Sequence, residues 1–486
     1  MTYKHGVFIS EVPTSVVPPV RVAAGLPVVV GTAPINLAAT QEYVNKPFLA
    51  YTYTEAVQSL GYSTDWESYT LCEFMKSHFA LFSVAPVVFI NVLDPAAHKA
   101  DVAAADLAVS SGVVTIQQTG ILLSTVVVKL TAAGQPLIKD TDYTAAFDDD
   151  GYVVIASITG GAILETQTTL NITYSKLDPT LVESVDIIGG VDATTGAYIG
   201  LELVNKVFPL FRLVPGQILA PGWSHDSAVA AIMKAKASAI NGLFKAMAIT
   251  DADDTEAGAD LYTEVPAWKN TNNYTDPLQV VCWPRVKLGD ETYHLSTQVA
   301  GLICKTDGQN DDLPYVSPSN KNLQADGAVI ASGAEVSLGP DQAAYLNGEG
   351  IVTALNWIGG WKLWGNRTGA YPGVTDVKDS FIPVRRMFNW IGNTIILTFW
   401  QKVDDPTNKR LIDTIVDSLN IWLNGLAARG ALLGARVEFQ QDENPSTDLI
   451  NGIVRFHIYA TPPTPAEDME FVLEFDVNYL SALFAE

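Results

Sequence analysis

The chain has 486 residues, 48% of them hydrophobic and 17% charged, and its 53 acidic against 29 basic side chains give a formal charge of −24. That length exceeds one ordinary core and predicts roughly two to four domains. The negative field repels phosphate backbones and no basic run opposes it, which excludes direct nucleic-acid binding as a main role.

The first residues, MTYKHGVFISEVP, contain no apolar segment of signal-peptide length. Val7–Val22 then alternates and carries Pro13, Pro18 and Pro19, with Pro27 following, so a helix is excluded. Phe8, Ile9 and Val12 make this stretch too apolar for a free tail. It reads either as an arm that joins another sheet edge or as the first edge strand of its own domain. Leu26–Val30 predicts a buried strand, Thr54–Gly61 and Tyr69–Phe82 predict helices, and Ala85–Val92 predicts a second buried strand. His78, on the apolar side of the second helix, reads as a packed core residue. The longest apolar run, Phe79–Leu93, is broken by Pro86 and falls short of the ~20 residues of a membrane span, so no membrane insertion is expected.

After Asp94-Pro95 the texture changes to short β-branched segments separated by turns, up to about Leu177. This predicts an inserted all-β domain over residues 96–180, in which Asp148–Gly151 is a hairpin turn. That turn lacks the ligand spacing of a calcium loop. The α/β pattern then resumes: a helix at Gly196–Val207, a strand at Arg212–Ala220, a helix at Ala228–Phe244 capped by Ser224 or Asp226, and strands at Ala246–Thr250 and Pro277–Pro284. Ser296–Cys304 predicts a further helix. Near the end, Asp405-Pro406 is expected to start a helix over Thr407–Arg429. Strands are expected at Ala435–Gln440, Ile453–Ala460 and Phe471–Asn478.

Little of this carries chemistry. No GxGxxG, GxxxxGK[ST] or HExxH occurs, so no cofactor is expected from the doubly wound pattern. Cys72, Cys282 and Cys304 stand far apart, which predicts buried thiols in a reducing compartment. Ser224-His225-Asp226 has the residue types of a catalytic triad, but consecutive side chains point apart. Asp251, Asp253, Asp254 and Glu256 are either a solvated loop or a metal site in an α/β enzyme.

The densest constellation is Asn356–Arg386, where Trp357, Trp361 and Trp364 stand near Arg367, Arg385 and Arg386 among several glycines. Aromatic and arginine side chains suit either a ligand pocket or an interface. Both chain ends are apolar and joined through proline-rich sequence, Pro13–Pro27 and Pro462–Pro465, a composition that suits arms reaching other copies.

The opening HGVFISEVP, the segments WKLWGNRT and FIPVRR, and the closing strand–helix–strand order with an apolar tail resemble the tail sheath proteins of contractile-tailed bacteriophages. The likeness is to the P2 and Mu type and runs over nearly the whole chain. It implies a non-enzymatic structural subunit with no cofactor and no metal, a virion protein assembled in the host cytoplasm. Its partners would be copies of itself in a helical sheath of hexameric rings, a tail tube protein, and baseplate and terminator proteins. The implied fold is a mixed α/β body (26–95 and 181–355) with the inserted β domain facing outward and a tube-facing C-terminal α/β domain (356–470). Extended arms lie at 1–25 and 471–486. By the same resemblance Phe8, Ile9 and Val12 belong to the first arm and Leu480, Leu483 and Phe484 to the second, with Phe471–Phe475 in that arm or in an accepting sheet. Trp361, Trp364, Arg367, Arg385 and Arg386 are expected to pack the C-terminal domain or its interface, and Lys409 and Arg410 to face the tube. A pyocin-like or secretion-type machine, and a metal-dependent α/β enzyme, are the alternatives.

Overall fold

The continuous apolar runs form the middle of one eight-stranded sheet. In the computed structural model, which describes residues 23–484, its strands are β1 (Pro27–Gly31), β2 (Phe48–Ala50), β3 (Val87–Asn91), β4 (Gln217–Leu219), β5 (Met247–Asp251), β6 (Gln279–Cys282), β7 (Ile351–Asn356) and β8 (Trp361–Trp364). Their spatial order is β8-β7-β6-β5-β4-β1-β3-β2. The six inner strands are parallel, with Val28 beside both Ile218 and Val88, while β2 and β8 run antiparallel at the edges. All residues of β1, β3, β5 and β6 are buried, as a sheet covered on both faces requires. Two of the covering helices are α1 (Ser227–Ser238), which buries Val229 and Met233, and α2 (Leu295–Gly308), which buries Val299, Leu302 and Ile303. Each such side chain contributes about 1.5–3 kcal/mol when taken from water. Asp226 starts α1 by accepting the Ala228 N–H at 2.8 Å.

Between β3 and β4 lies a β-rich unit with its own core. Strands Lys99–Ala108, Thr169–Leu177 and Val127–Lys129 form one antiparallel sheet, and Val113–Ile116, Val153–Ser157 and Tyr143–Phe147 form another. Val114, Val128, Tyr143, Ile155, Leu170 and Ile172 pack together there. Asp148–Gly151 is a turn: Asp148 Oδ1 accepts the N–H groups of Asp150 and Tyr152 at 3.1 and 2.8 Å, and Gly151 has φ 78°.

Beyond the β7–β8 hairpin come α3 (Ile382–Phe399) and α4 (Lys409–Ala428), followed by the two-stranded antiparallel sheet of β9 (Gly434–Glu438) and β10 (His457–Thr461). Met387, Trp390 and Ile391 of α3 and Leu419, Leu423 and Leu426 of α4 join the same buried cluster as the central sheet.

Several elements differ from expectation. The helix placed at Gly196–Val207 begins as a 3-10 turn, Gly200–Leu203, and becomes α-helical only over Val204–Phe211. Asn408, not Asp405, caps α4, its Oδ1 accepting the Leu411 N–H at 2.9 Å. Phe471–Asn478 is not a strand: residues 471–476 have no regular structure and Val477–Phe484 is a 3-10 segment. A strand needs a hydrogen-bonding neighbour, and no described strand pairs with this stretch. The boundary expected at 356 falls within the β7–β8 hairpin.

Candidate assembly surface

The tryptophan segment is the edge of the central sheet. β8 lies on β7 with Trp361 opposite Asn356 and Trp364 opposite Thr353. Leu363 between them is fully buried. Trp361 packs against the main core, and Trp364 against a second cluster containing Val281, Trp283, Ile351 and Leu355. Trp357 and Ile358 stand exposed at the hairpin tip, which Gly359 and Gly360 turn with φ 80° and 91°. Gly369 is required by close approach, since a Cβ there would lie 2.8 Å from the Tyr274 carbonyl oxygen.

The three arginines serve different places in the fold. Arg386, on α3, is buried and forms a two-pronged pair with Asp307 of α2, with Nη1 to Oδ1 at 3.0 Å. Arg385 donates to Asp379 at 2.8 Å and to Asn389 at 3.1 Å. Arg367 lies between two rings, its guanidinium 3.8 Å from the Phe381 centroid and 4.4 Å from that of Tyr371. Its Nη1 donates to Ser380 Oγ at 3.2 Å, and its Nε and Nη2 donate to Glu467 Oε2 at 3.1 and 2.6 Å. Each arginine therefore has an acidic partner in its own chain, where the sequence left partners within or between subunits open.

The C-terminal sheet is small and unevenly protected. α4 covers one face, burying Ile415, Leu419, Leu423 and Leu426. Asn420 of α4 accepts the Val437 N–H at 2.9 Å and donates to its carbonyl at 3.2 Å. In an antiparallel pair the N–H and C=O of one residue point to the same side, so Asn420 occupies the outer edge of β9 at Val437. On β10 the corresponding outward groups belong to Ile458 and Ala460, opposite Val437 and Ala435, and among the described residues no backbone group meets them. Lys409 and Arg410 stand exposed at the start of α4, where Lys409, Ile412, Val416, Phe439, Leu449 and Ile450 line an open groove.

After Pro462–Pro465 the chain leaves this surface with its apolar side chains in water. Phe471, Leu473 and Phe475 are 84%, 96% and 78% exposed, and Leu480 and Leu483 are exposed as well. Phe484 lies in the closing 3-10 segment. Phe8, Ile9 and Val12 fall outside the described residues. Sequence reasoning did not single out Asp307, Asn420 or Glu467. Each is one polar residue whose partner lies elsewhere in the chain, and no local spacing marks it.

The triad-like and acidic motifs are taken up by the fold. Ser224 Oγ accepts the Asp251 N–H at 3.0 Å, while Asp226 caps α1. Asp251 also accepts the Ser296 N–H at 2.9 Å, Asp254 pairs with Arg285 at 3.1 Å, and Asp253 holds its own turn by accepting the Thr255 N–H at 3.1 Å. Among the described residues no group of three or more His, Cys, Asp or Glu is placed to hold a metal ion. The cavity at these strand ends measures about 30 Å³, room for about one water. Burial pushes the Cys72 thiol up to about 12 and the Cys282 thiol well up, away from a reactive thiolate. Among the described residues no helix is long and apolar enough to cross a membrane.

No family model matches the chain. The chain is 29% identical to the tail sheath protein of Burkholderia phage BcepMu, over 99% of its own length and 98% of that protein. It is 28% identical, over 61% of its length and 73% of the relative, to a putative prophage major tail sheath protein of Pseudomonas aeruginosa. Among solved structures, the contracted helical sheath of the anti-feeding prophage shares the fold with a TM-score of 0.57 at 15% identity, covering 98% of this chain and 100% of that one. The contracted sheath of an extracellular contractile injection system, PVC, gives a TM-score of 0.57 at 14% identity, covering 98% and 99%. Over nearly its whole length the chain is therefore similar to a phage tail sheath protein, a likeness of the Mu-like kind, and it has the fold of contractile sheaths.

Proposed function

We propose that this chain polymerises as a helical sleeve of stacked hexameric rings around a tail tube, and that the sleeve shortens to drive the tube through the host envelope for genome ejection. The observation that carries this reading is the C-terminal segment. Phe471, Leu473 and Phe475 are exposed in the single chain and alternate with Val472, Glu474 and Asp476. That period of two suits a strand with one buried face. β9–β10 has only two strands, with α4 on one face, and the outward groups of Ile458 and Ala460 offer an edge to which a strand from another copy can add.

In this reading the N-terminal segment, with Phe8, Ile9 and Val12, makes a second such link, and Leu480, Leu483 and Phe484 belong to the C-terminal arm. The inserted β domain faces outward and the C-terminal domain faces the tube, with Lys409 and Arg410 at the contact. The sleeve ends on baseplate and terminator proteins. Contraction uses no nucleotide or metal, because its energy lies in the difference between two packings of the same subunits. Strand exchange keeps neighbours linked while their bodies rotate. The same subunit would serve a pyocin-like particle, a reading favoured by the shared fold of the two injection-system sheaths; capsid genes beside this one distinguish the two. Negative-stain microscopy of the purified protein tests the proposal. Tubes or sheath-like polymers are expected, and monomers persisting at high concentration would overturn it.

A further inference from the structure

Arg367 sits in the WGNRT segment, to which the sequence assigned only packing of the C-terminal domain or its interface. Its surroundings are prebuilt. The backbone beside it is pinned to the start of α3, where the Thr368 N–H donates to the Ser380 carbonyl at 2.9 Å, the Ile382 N–H donates to the Asn366 carbonyl at 2.8 Å, and Thr368 Oγ1 donates to the Asp379 carbonyl at 2.6 Å. The rings of Tyr371 and Phe381 flank the guanidinium, and Ser380 accepts from Nη1. One side of the fork, Nε and Nη2, remains to meet a carboxylate, and Glu467 meets it from 100 residues away.

Glu467 belongs to a stretch without regular structure, two residues after Pro465 and four before Phe471. We infer that Arg367 is a positioning residue that anchors the root of the C-terminal arm, so that the arm leaves every copy at one place to reach a second copy. The inference rests on the reading of residues 471–484 as an inter-subunit arm. A planar guanidinium clamped by two rings loses little freedom when the carboxylate binds. Fixing the root also raises the effective concentration of the arm at its neighbour's edge without adding a contact there. The prolines at 462, 463 and 465 act in the same direction, since each restricts the backbone leading to Glu467.

The test uses the full chain with E467Q, R367K and R367A, beside a chain lacking residues 471–484. The unassembled proteins are compared by thermal melting and by glutamyl-endopeptidase cleavage at Glu467 and Glu470. Assembly is read as the critical concentration in sedimentation. E467Q leaves the arginine and its rings in place, so it keeps the experiment decisive even where R367A fails to fold. The expected result for E467Q is an unchanged melt, faster cleavage at Glu470, and a critical concentration raised about tenfold, the scale of one lost charge-assisted contact. R367K, which keeps the charge but not the fork, should fall between. If E467Q assembles, and is cleaved at Glu470, like the unchanged chain while the truncated chain fails to assemble, the anchor is wrong and the arm reading stands. If the truncated chain assembles normally, the arm reading itself fails and the anchor with it.

Discussion

His78 is fully buried, with its ring stacked on Phe74 at 5.0 Å and edge-on to Phe79 at 6.0 Å, and neither ring nitrogen has a hydrogen-bond partner among the described residues. Burial alone lowers its pKa to about 3. The unfolded chain therefore binds the proton first, near pH ~6.5, and stability falls as pH drops from there toward 3, by about 1.4 kcal/mol per unit. H78F should remove this dependence, so that denaturant unfolding favours the variant increasingly from pH 6 to pH 4; parallel curves for the two proteins would refute it. His294 behaves oppositely. Its Nδ1 meets Glu73 Oε2 at 2.7 Å; burial lowers its pKa, but the Glu73 carboxylate, together with Asp251, raises it and the net direction is up. Its contribution is full below the unfolded pKa and is lost as pH rises through the folded one. E73Q should therefore destabilise the protein most at low pH, as read from unfolding free energies at pH 5.5 and 8.

At the scale of elements, the Arg386–Asp307 pair ties α3 to α2 in the core. R386A should cost about 3–5 kcal/mol of stability, because it strands a buried carboxylate. R385A should cost about 1 kcal/mol or less, since its pair with Asp379 is partly solvated. Thermal or denaturant melting of the two variants checks the order, and equal losses would contradict it. Five strands of the central sheet, β1 and β3 to β6, were legible in the sequence because both-face burial writes continuous runs such as LPVVV and APVVFINV, whereas β2, β7 and β8 were not. α3 was not, because its polar stripe of Arg385, Arg386, Asn389 and Asn393 is itself buried or half-buried and the helix turns no exposed face to solvent. The tryptophans of β8 announced packing but not which sheet they edge, since that depends on β7 pairing with β8. The arginines of the candidate site were visible as residues, whereas Glu467, which gives Arg367 its place, was not.

For the whole molecule, the central feature is a folded body in which an exposed apolar segment follows, along the chain, an incompletely paired sheet. Leaving Phe471, Leu473 and Phe475 in water forgoes about 1.5–3 kcal/mol each relative to burial. The alternation of FVLEFDV reads as a strand in the sequence, but no strand forms there, because among the described residues no strand pairs with it. In the proposed sleeve a neighbouring copy supplies that partner, and the net charge of −24 opposes unspecific clustering of these tails. The most direct measurement is electron microscopy, with sedimentation, of the full chain and of one lacking residues 471–484, at equal concentration. The full chain is predicted to form sleeves while the shortened chain stays dispersed with an unchanged melting temperature. Sleeves of equal length and threshold from both would contradict the account.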